Sequence, residues 1–408
     1  MIYRYISSTA FSKLFSRQMR FISGPRQCGK TTIAKAHLAK LNCSAFYYNW
    51  DRREVRTRYR LENDFLHHDL LNSPSQSSKR YWVCFDEIHK MPKWKNILKD
   101  FFDSHEKEIN FIITGSARLD MFKRSGDSLA GRYFLFRLNP FLLSELCGRK
   151  LETVLPEKHA IDYIEKSIAH KKHEQKAMES MLKLSSFPEP LLKNNSLFAR
   201  KWHESYMEKI VKEDLRDLSS IHQMEKVIDL IYLLSAGISS PLSIKSLKEE
   251  LELNFNTVKN YINYLMLVFV LFQIPPYHKS MKRVIRKEKK AYFYDISPVQ
   301  NEAARFENYI ALELKIRIDL WNDIQQDKYD LFFFRTREGK ETDFVITKNG
   351  APYFLCEAKL SSTNIDKHHY IHAHLLGDIP FIQVLKEPNV LKIEQKKHFV
   401  ISASRFFS

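Results

Sequence analysis

Gly24-Pro25-Arg26-Gln27-Cys28-Gly29-Lys30-Thr31 satisfies every fixed position of the template G-x-x-x-x-G-K-[ST]. No other stretch restricts the fold as tightly. Glycines let the backbone curl round a phosphate chain with its N–H groups pointing inward, and the positive end of the following helix adds to the attraction. Such a loop requires a strand before it and a helix after it. Arg20-Phe21-Ile22-Ser23 reads as the end of a buried strand, and Thr32 to Leu38 reads as a helix. Lys30 is expected to reach the β- and γ-phosphates of ATP, and the Thr31 hydroxyl to hold Mg²⁺. Gly24 to Thr32 are the expected nucleotide contacts.

Four further apolar runs extend this reading. Ala45 to Asp51 reads as a second strand ending in an acid. Arg80-Tyr81-Trp82-Val83-Cys84-Phe85-Asp86-Glu87 reads as a third, ending in two carboxylates. That is the Walker B pattern, in which Asp86 binds Mg²⁺ through water and Glu87 polarises the attacking water. Adjacent acids at a strand end are common, so the pair gains its meaning from the phosphate loop. Ile109 to Ser116 and Arg132 to Leu138 read as the fourth and fifth strands. Strands alternating with helices give a parallel, three-layer α/β sheet with the ligand at the carboxyl ends of the strands.

On these motifs the chain resembles an AAA+-type ATPase of the additional-strand, catalytic-glutamate class. More narrowly, it is similar to prokaryotic ATPases that carry a DNA-binding and nuclease-like C-terminal half. The resemblance implies a sensor position at Thr114-Gly115-Ser116, facing the γ-phosphate. It also implies an arginine finger at Arg132, on the match of Leu129-Ala130-Gly131-Arg132, against the plainer reading of a surface arginine at a strand start. A finger acting in trans would require a homo-oligomer. Asn139-Pro140-Phe141 to Glu145 matches the segment that leaves the ATPase core. The family has glycine before Phe187-Pro188-Glu189, and serine here departs from it.

Beyond the core, Glu152 to Lys183 is charged with helical period, and Lys171, Lys172, His173 and Glu174 should lie on a solvated face. Ser185 to Pro190 breaks it, and Trp202 to Asp217 reads as a long helix. Ile228 to Ser235, Leu242 to Leu251 and Asn254 to Leu265 then read as three helices. A short polar turn before a helix opening in Asn-Thr-Val-Lys is the spacing of a helix-turn-helix. Asn256, Thr257, Lys259 and Asn260 would face a groove, with Val258, Ile262 and Leu265 inward. A basic run follows, Lys279, Lys282, Arg283, Arg286, Lys287, Lys289 and Lys290, relieved by Glu288 alone, and it reads as a phosphate-contacting wing. The net charge of +17 favours a polyanionic partner, DNA first. The other readings are a winged helix used only for protein contacts and a charge excess with no partner.

The last hundred residues hold a second constellation. Glu307 lies on a helical stretch, Phe306 to Leu314. Glu341 to Ile346 and Pro352 to Lys359 read as a strand hairpin. Asp343 followed by Glu357-x-Lys359 resembles the PD-(D/E)xK pattern of restriction-endonuclease-like nucleases. Alternation puts Glu357 and Lys359 on one face of their strand. The resemblance implies Mg²⁺ held by Asp343 and Glu357, Lys359 orienting water or offsetting charge, and Glu307 as an additional acid. The other reading is a nuclease-like fold without activity.

The expected fold class is thus α/β: an AAA+-like P-loop core over residues 1–145, a helical linker over 146–225, a winged helix-turn-helix over 226–295 and a nuclease-like domain over 296–408. Five scattered cysteines without metal-ligand spacing argue for a reducing, cytoplasmic setting. No run is apolar enough to span a bilayer, so no membrane is expected. Arg4, Lys13, Arg17 and Arg20 give the first twenty residues a faint transit-peptide look. With the phosphate loop beginning at Gly24, they read instead as a helix leading into the first strand. The expected function is an ATP-hydrolysing enzyme acting on DNA with Mg²⁺-dependent cleavage; the alternative is a nucleotide-controlled DNA- or protein-binding switch.

Overall fold

A computed structural model of the chain describes residues 2–15, 17–73, 80–115, 129–169, 174–215, 223–278 and 288–408. They form two compact units, one of Arg4–Asn139 and one of Pro140–Ser408 with the extreme N-terminus.

The first unit is built on five parallel strands, β1 (Met19–Ser23), β2 (Tyr47–Asn49), β3 (Tyr81–Asp86), β4 (Ile109–Thr114) and β5 (Tyr133–Arg137), in the order β2-β3-β4-β1-β5. β1 and β4 are buried along their whole length, as near-continuous apolar strands of a parallel sheet should be. β4 lies between β1, which carries the phosphate loop, and β3, which ends in the carboxylates. This is the additional strand that the sequence resemblance implies. Helix α1 (Lys30–Lys40) leaves the loop. β2 is shorter than the apolar run predicts, because Ser44–Phe46 coil into a 3₁₀ turn. Arg20 is an exception to the apolar rule. The residue is 1% exposed, and its guanidinium bonds the Ala10 carbonyl and the Asn110 side chain and lies 4.7 Å over the Trp82 ring. Burial, with help from Arg80, lowers its pKa to about 10.

The second unit opens with short helices, among them Ala160–Ile168, Gln175–Leu184 and Ser196–Lys209. Ser185, rather than the Ser186 that precedes Phe187, takes the backbone value favouring glycine, φ +107°. Its hydroxyl bonds Asp295 and accepts from the Phe187 amide, which holds it there. Three helices follow, α2 (Met224–Ala236), α3 (Ile244–Glu250) and α4 (Phe255–Leu267). An antiparallel pair, β6 (Leu271–Ile274) and β7 (Lys290–Phe293), closes this segment.

The C-terminal sheet has six strands: β8 (Tyr329–Arg335), β9 (Glu341–Lys348), β10 (Ala351–Lys359), β11 (Phe381–Leu385), β12 (Leu391–Glu394) and β13 (His398–Ser402), in the order β12-β13-β11-β10-β9-β8. β8, β9 and β10 run antiparallel, while β10, β11 and β13 run parallel. Helix α5 (Glu302–Ile324) buries Phe306, Tyr309, Ile310 and Trp321, and α6 (Lys367–Leu375) connects β10 to β11. No helix among the described residues is long and apolar enough to cross a membrane.

Candidate functional site

The phosphate loop is held open by its own packing. A Cβ at Gly24 would lie 2.0 Å from the Leu138 carbonyl oxygen, and Gly29 sits at φ +101°. A side chain has no room at Gly24, and at Gly29 it would strain the left-handed backbone. Cys28 points away from the loop and donates its thiol to the Leu138 carbonyl, so its side chain braces the cradle rather than touching a ligand. Arg4 bonds the carbonyls of Cys28 and Asn139 from beneath. Lys30 turns its ammonium back onto the Gly24 and Pro25 carbonyls, at 2.9 and 2.7 Å. The Thr31 hydroxyl donates to Asp86 at 3.0 Å.

Asp86 is organised by three hydroxyls. Besides Thr31, it accepts from Tyr47 and, on its other oxygen, from Thr114. Thr114, expected at the sensor position, is fully buried, and its hydroxyl donates to Asp86 and fixes that carboxylate. Ser116 lies outside the described residues. Glu87 follows the strand in a left-handed conformation, φ +59°, with its side chain 28% exposed. Burial, and then the charge of Asp86, raise its pKa above the ordinary carboxylate value. The residues fit a nucleotide with Mg²⁺: the hydroxyl of Thr31 and the carboxylate of Asp86 already face each other, and Lys30 beside them rests on loop carbonyls.

Arg132 does not join this group. It precedes β5, whose first residue pairs with Met19 at the start of β1, so it lies at the amino end of a sheet whose carboxyl end bears the loop. There it forms a two-pronged bond to Asp103. Within one chain it cannot act as the finger the resemblance implies.

The helix expected to read DNA is α4. Asn254 caps it, accepting from the Thr257 amide at 2.9 Å and the Thr257 hydroxyl at 3.0 Å. Asn256, Lys259, Asn260 and Asn263 are exposed, while Val258, Tyr261, Ile262 and Leu265 are buried. Thr257 departs from expectation, since its hydroxyl serves the cap. Of the basic run, Lys279, Lys282, Arg283, Arg286 and Lys287 lie outside the described residues, as do Lys171, Lys172, His173 and Asp217.

Lys290 is no part of a solvated wing. It opens β7, is 1% exposed, and sends its ammonium among three carboxylates from two elements, α5 and β9. The ammonium lies 2.6 Å from Glu341, 3.2 Å from Glu307 and 3.5 Å from Asp343. Burial opposes its charge, but Glu307, Asp343 and Glu341 more than offset that and raise its pKa. β9 and β10 bring Asp343 and Glu357 together: the Asp343 amide donates to Glu357, and the Ala358 amide donates to Asp343. Lys359 reaches Glu357 at 2.9 Å, and Tyr292 donates to Glu307 at 2.7 Å. Burial and the neighbouring Glu307 and Glu357 carboxylates push Asp343 well above the ordinary range. Burial also raises Glu357, against the pull of Lys359.

Glu307, Asp343, Glu357 and Lys359 therefore converge as expected, but the cluster does not fit Mg²⁺ as it stands. Asp343 divides its oxygens between Lys290 and a backbone amide, and Glu357 divides its own between Lys359 and another. Sequence reasoning missed Lys290, Tyr292 and Glu341 here, and Arg4 and Tyr47 at the loop. The alternations Glu341-x-Asp343 and Lys290-x-Tyr292 were the available signals, each placing two polar groups on one strand face. Arg4 and Tyr47 left none, since only the tertiary fold brings them in.

Residues 16–147 match the family described as an AAA domain. Residues 175–307 and 303–406 each match a domain of unknown function, DUF8612 and DUF4143. An uncharacterized protein of Methanocaldococcus jannaschii is 24% identical over 365 residues, covering 83% of this chain and 73% of the relative. One of Mycobacterium tuberculosis is 20% identical over 350 residues, covering 84% and 70%. Among solved structures, the replication initiator DnaA bound to AMPPCP and single-stranded DNA aligns over 64% of this chain and 86% of its own at 11% identity. Its TM-score of 0.30 is too low to carry an argument. The loop and the strand order over residues 16–147 are those of a phosphate-loop fold, in line with the AAA-domain match.

Proposed function

We propose that the chain is an ATP-hydrolysing, nucleotide-controlled DNA-binding switch whose C-terminal domain has a nuclease-like fold but does not cut. The observation that carries the nucleotide half is the facing pair Thr31, in the first turn of α1, and Asp86, the last residue of β3, with Glu87 next in sequence. The loop amides cradle the phosphates, and Lys30 leaves the Gly24 and Pro25 carbonyls to meet them. Thr31, and Asp86 through water, are the residues that would hold Mg²⁺; bound there, it neutralises phosphate charge. Glu87 orients and polarises a water for attack on the γ-phosphorus, and its desolvated carboxylate suits an acceptor of that proton. Tyr47 and Thr114 keep Asp86 from rotating.

The DNA half rests on α4, where an Asn254-capped helix exposes Asn256, Lys259, Asn260 and Asn263 on a chain of net charge +17. The rival, Mg²⁺-dependent cleavage, is favoured by the convergence of Glu307, Asp343, Glu357 and Lys359, but it needs Lys290 to leave the carboxylates. Phosphate release and fluorescence anisotropy on duplex DNA test the proposal together. Lys30→Ala should lose about 100-fold or more of turnover. Glu87→Gln should retain nucleotide and lock one DNA affinity. Unchanged turnover in Lys30→Ala, or DNA affinity indifferent to nucleotide in every variant, contradicts it.

A further inference from the structure

We infer that Lys290 is a resident cation of the C-terminal carboxylate cluster, standing where a divalent metal would stand in a nuclease-like site. Three observations carry this. First, the ammonium is bonded on three sides, by Glu341, Glu307 and Asp343, which come from β9 and α5. These include two of the acids that the nuclease pattern assigns to that chemistry. Second, the lysine is not a visitor from solvent. Its backbone opens β7, pairs with Ile274 in β6 and bridges Pro241, its side chain is 1% exposed, and the Phe333 ring lies 5.6 Å from the nitrogen. Third, the second oxygens of Asp343 and Glu357 are already matched, and the Glu307 oxygen that meets the ammonium carries a further donor. Tyr292, from the same face of β7, donates to Glu307, and backbone amides of the β9–β10 pair serve Asp343 and Glu357.

Mg²⁺ demands near-octahedral oxygen ligation at about 2.0–2.1 Å and keeps several waters. An ammonium wedged among the same carboxylates takes the space and repels a second cation at that range. The lysine also does what a metal could not: it ties the β6–β7 pair to the C-terminal sheet by a buried ionic anchor. A substitution there should therefore open a metal site and loosen the anchor. This holds whether or not the first unit turns over ATP, so its failure leaves ATP-controlled DNA binding standing.

The test is a Mn²⁺ titration of the full chain without nucleotide, followed by electron paramagnetic resonance, comparing wild type, Asp343→Asn, Lys290→Met and Lys290→Met/Asp343→Asn. Wild type and Asp343→Asn should give the same binding curve. Lys290→Met should gain one site, at least about tenfold tighter than any in wild type, and should lose it again when Asp343→Asn is added. If Lys290→Met does not fold, Lys290→Met/Glu341→Gln, which removes one acid with the lysine, takes its place, and Mn²⁺ should raise its melting temperature more than that of wild type. A Mn²⁺ site in wild type that disappears in Asp343→Asn overturns the inference. So does a folded Lys290 variant that gains no site.

Discussion

A methyl group at Gly24 would meet the Leu138 carbonyl 2.0 Å away, and that oxygen belongs to backbone that also receives the Cys28 thiol. Gly24→Ala should therefore distort the loop and lower both melting temperature and ATP affinity; an unperturbed variant would show that the loop can yield. Tyr47 makes a subtler prediction. Its hydroxyl is one of three on Asp86, so Tyr47→Phe should leave folding intact and reduce turnover about three- to tenfold, the size of one hydrogen bond. Equal turnover of the variant and wild type would remove Tyr47 from the site. The loop residues were legible because their constraint is local: eight consecutive positions carry it. Tyr47 and Arg4 were not, because nothing near them in sequence announces Asp86 or the Cys28 carbonyl. Lys290 was misread for a related reason. In a run of basic residues it looks solvated, and only its pairing with Ile274 turns its side chain inward.

Helices α1 and α4 each support a test of their own. On α1, His37 stacks on Phe11 and meets Trp82 edge-on, and its Nε2 has no hydrogen-bond partner among the described residues. Burial, then Arg20 and Lys40, lower its pKa from 6.5 to about 4. The unfolded chain thus binds the proton more tightly. The stabilisation from neutral His37 is full above pH 6.5 and disappears as pH falls towards 4. Allowing for partial exposure it amounts to about 2 kcal/mol. His37→Phe should flatten that part of a stability-against-pH curve measured by denaturant melts; an unchanged slope would assign the acid loss elsewhere. On α4, Asn254→Ala should cost about 1 kcal/mol through the cap. Lys259→Ala should leave stability alone and reduce the salt slope of DNA binding by about 1. A melting shift without a change in DNA affinity would reduce α4 to a packing helix. The α4 pattern was readable because capping and helical period are both local, and the β9–β10 hairpin because alternation is.

At the scale of the molecule, the linker, three-helix segment and C-terminal sheet, expected as separate domains, belong to one compact unit. Several joins link these stretches within the unit. Tyr277 donates its amide to Phe333 in β8, Pro276 bridges the same residue, and Lys290 enters the acid cluster. Each links residues far apart in sequence, which composition and period do not record. The charge of +17, by contrast, is a property of the whole chain, and DNA affinity should fall steeply between about 50 and 200 mM salt. The most direct measurement incubates supercoiled plasmid with the full chain, ATP and Mg²⁺ or Mn²⁺, reading phosphate release, plasmid mobility and plasmid integrity in one series, with Lys30→Ala and Asp343→Ala alongside. The account predicts phosphate release that fails only in Lys30→Ala, plasmid shifted by protein, and intact circles throughout. Nicked or linear plasmid with wild type, absent with Asp343→Ala, would contradict it.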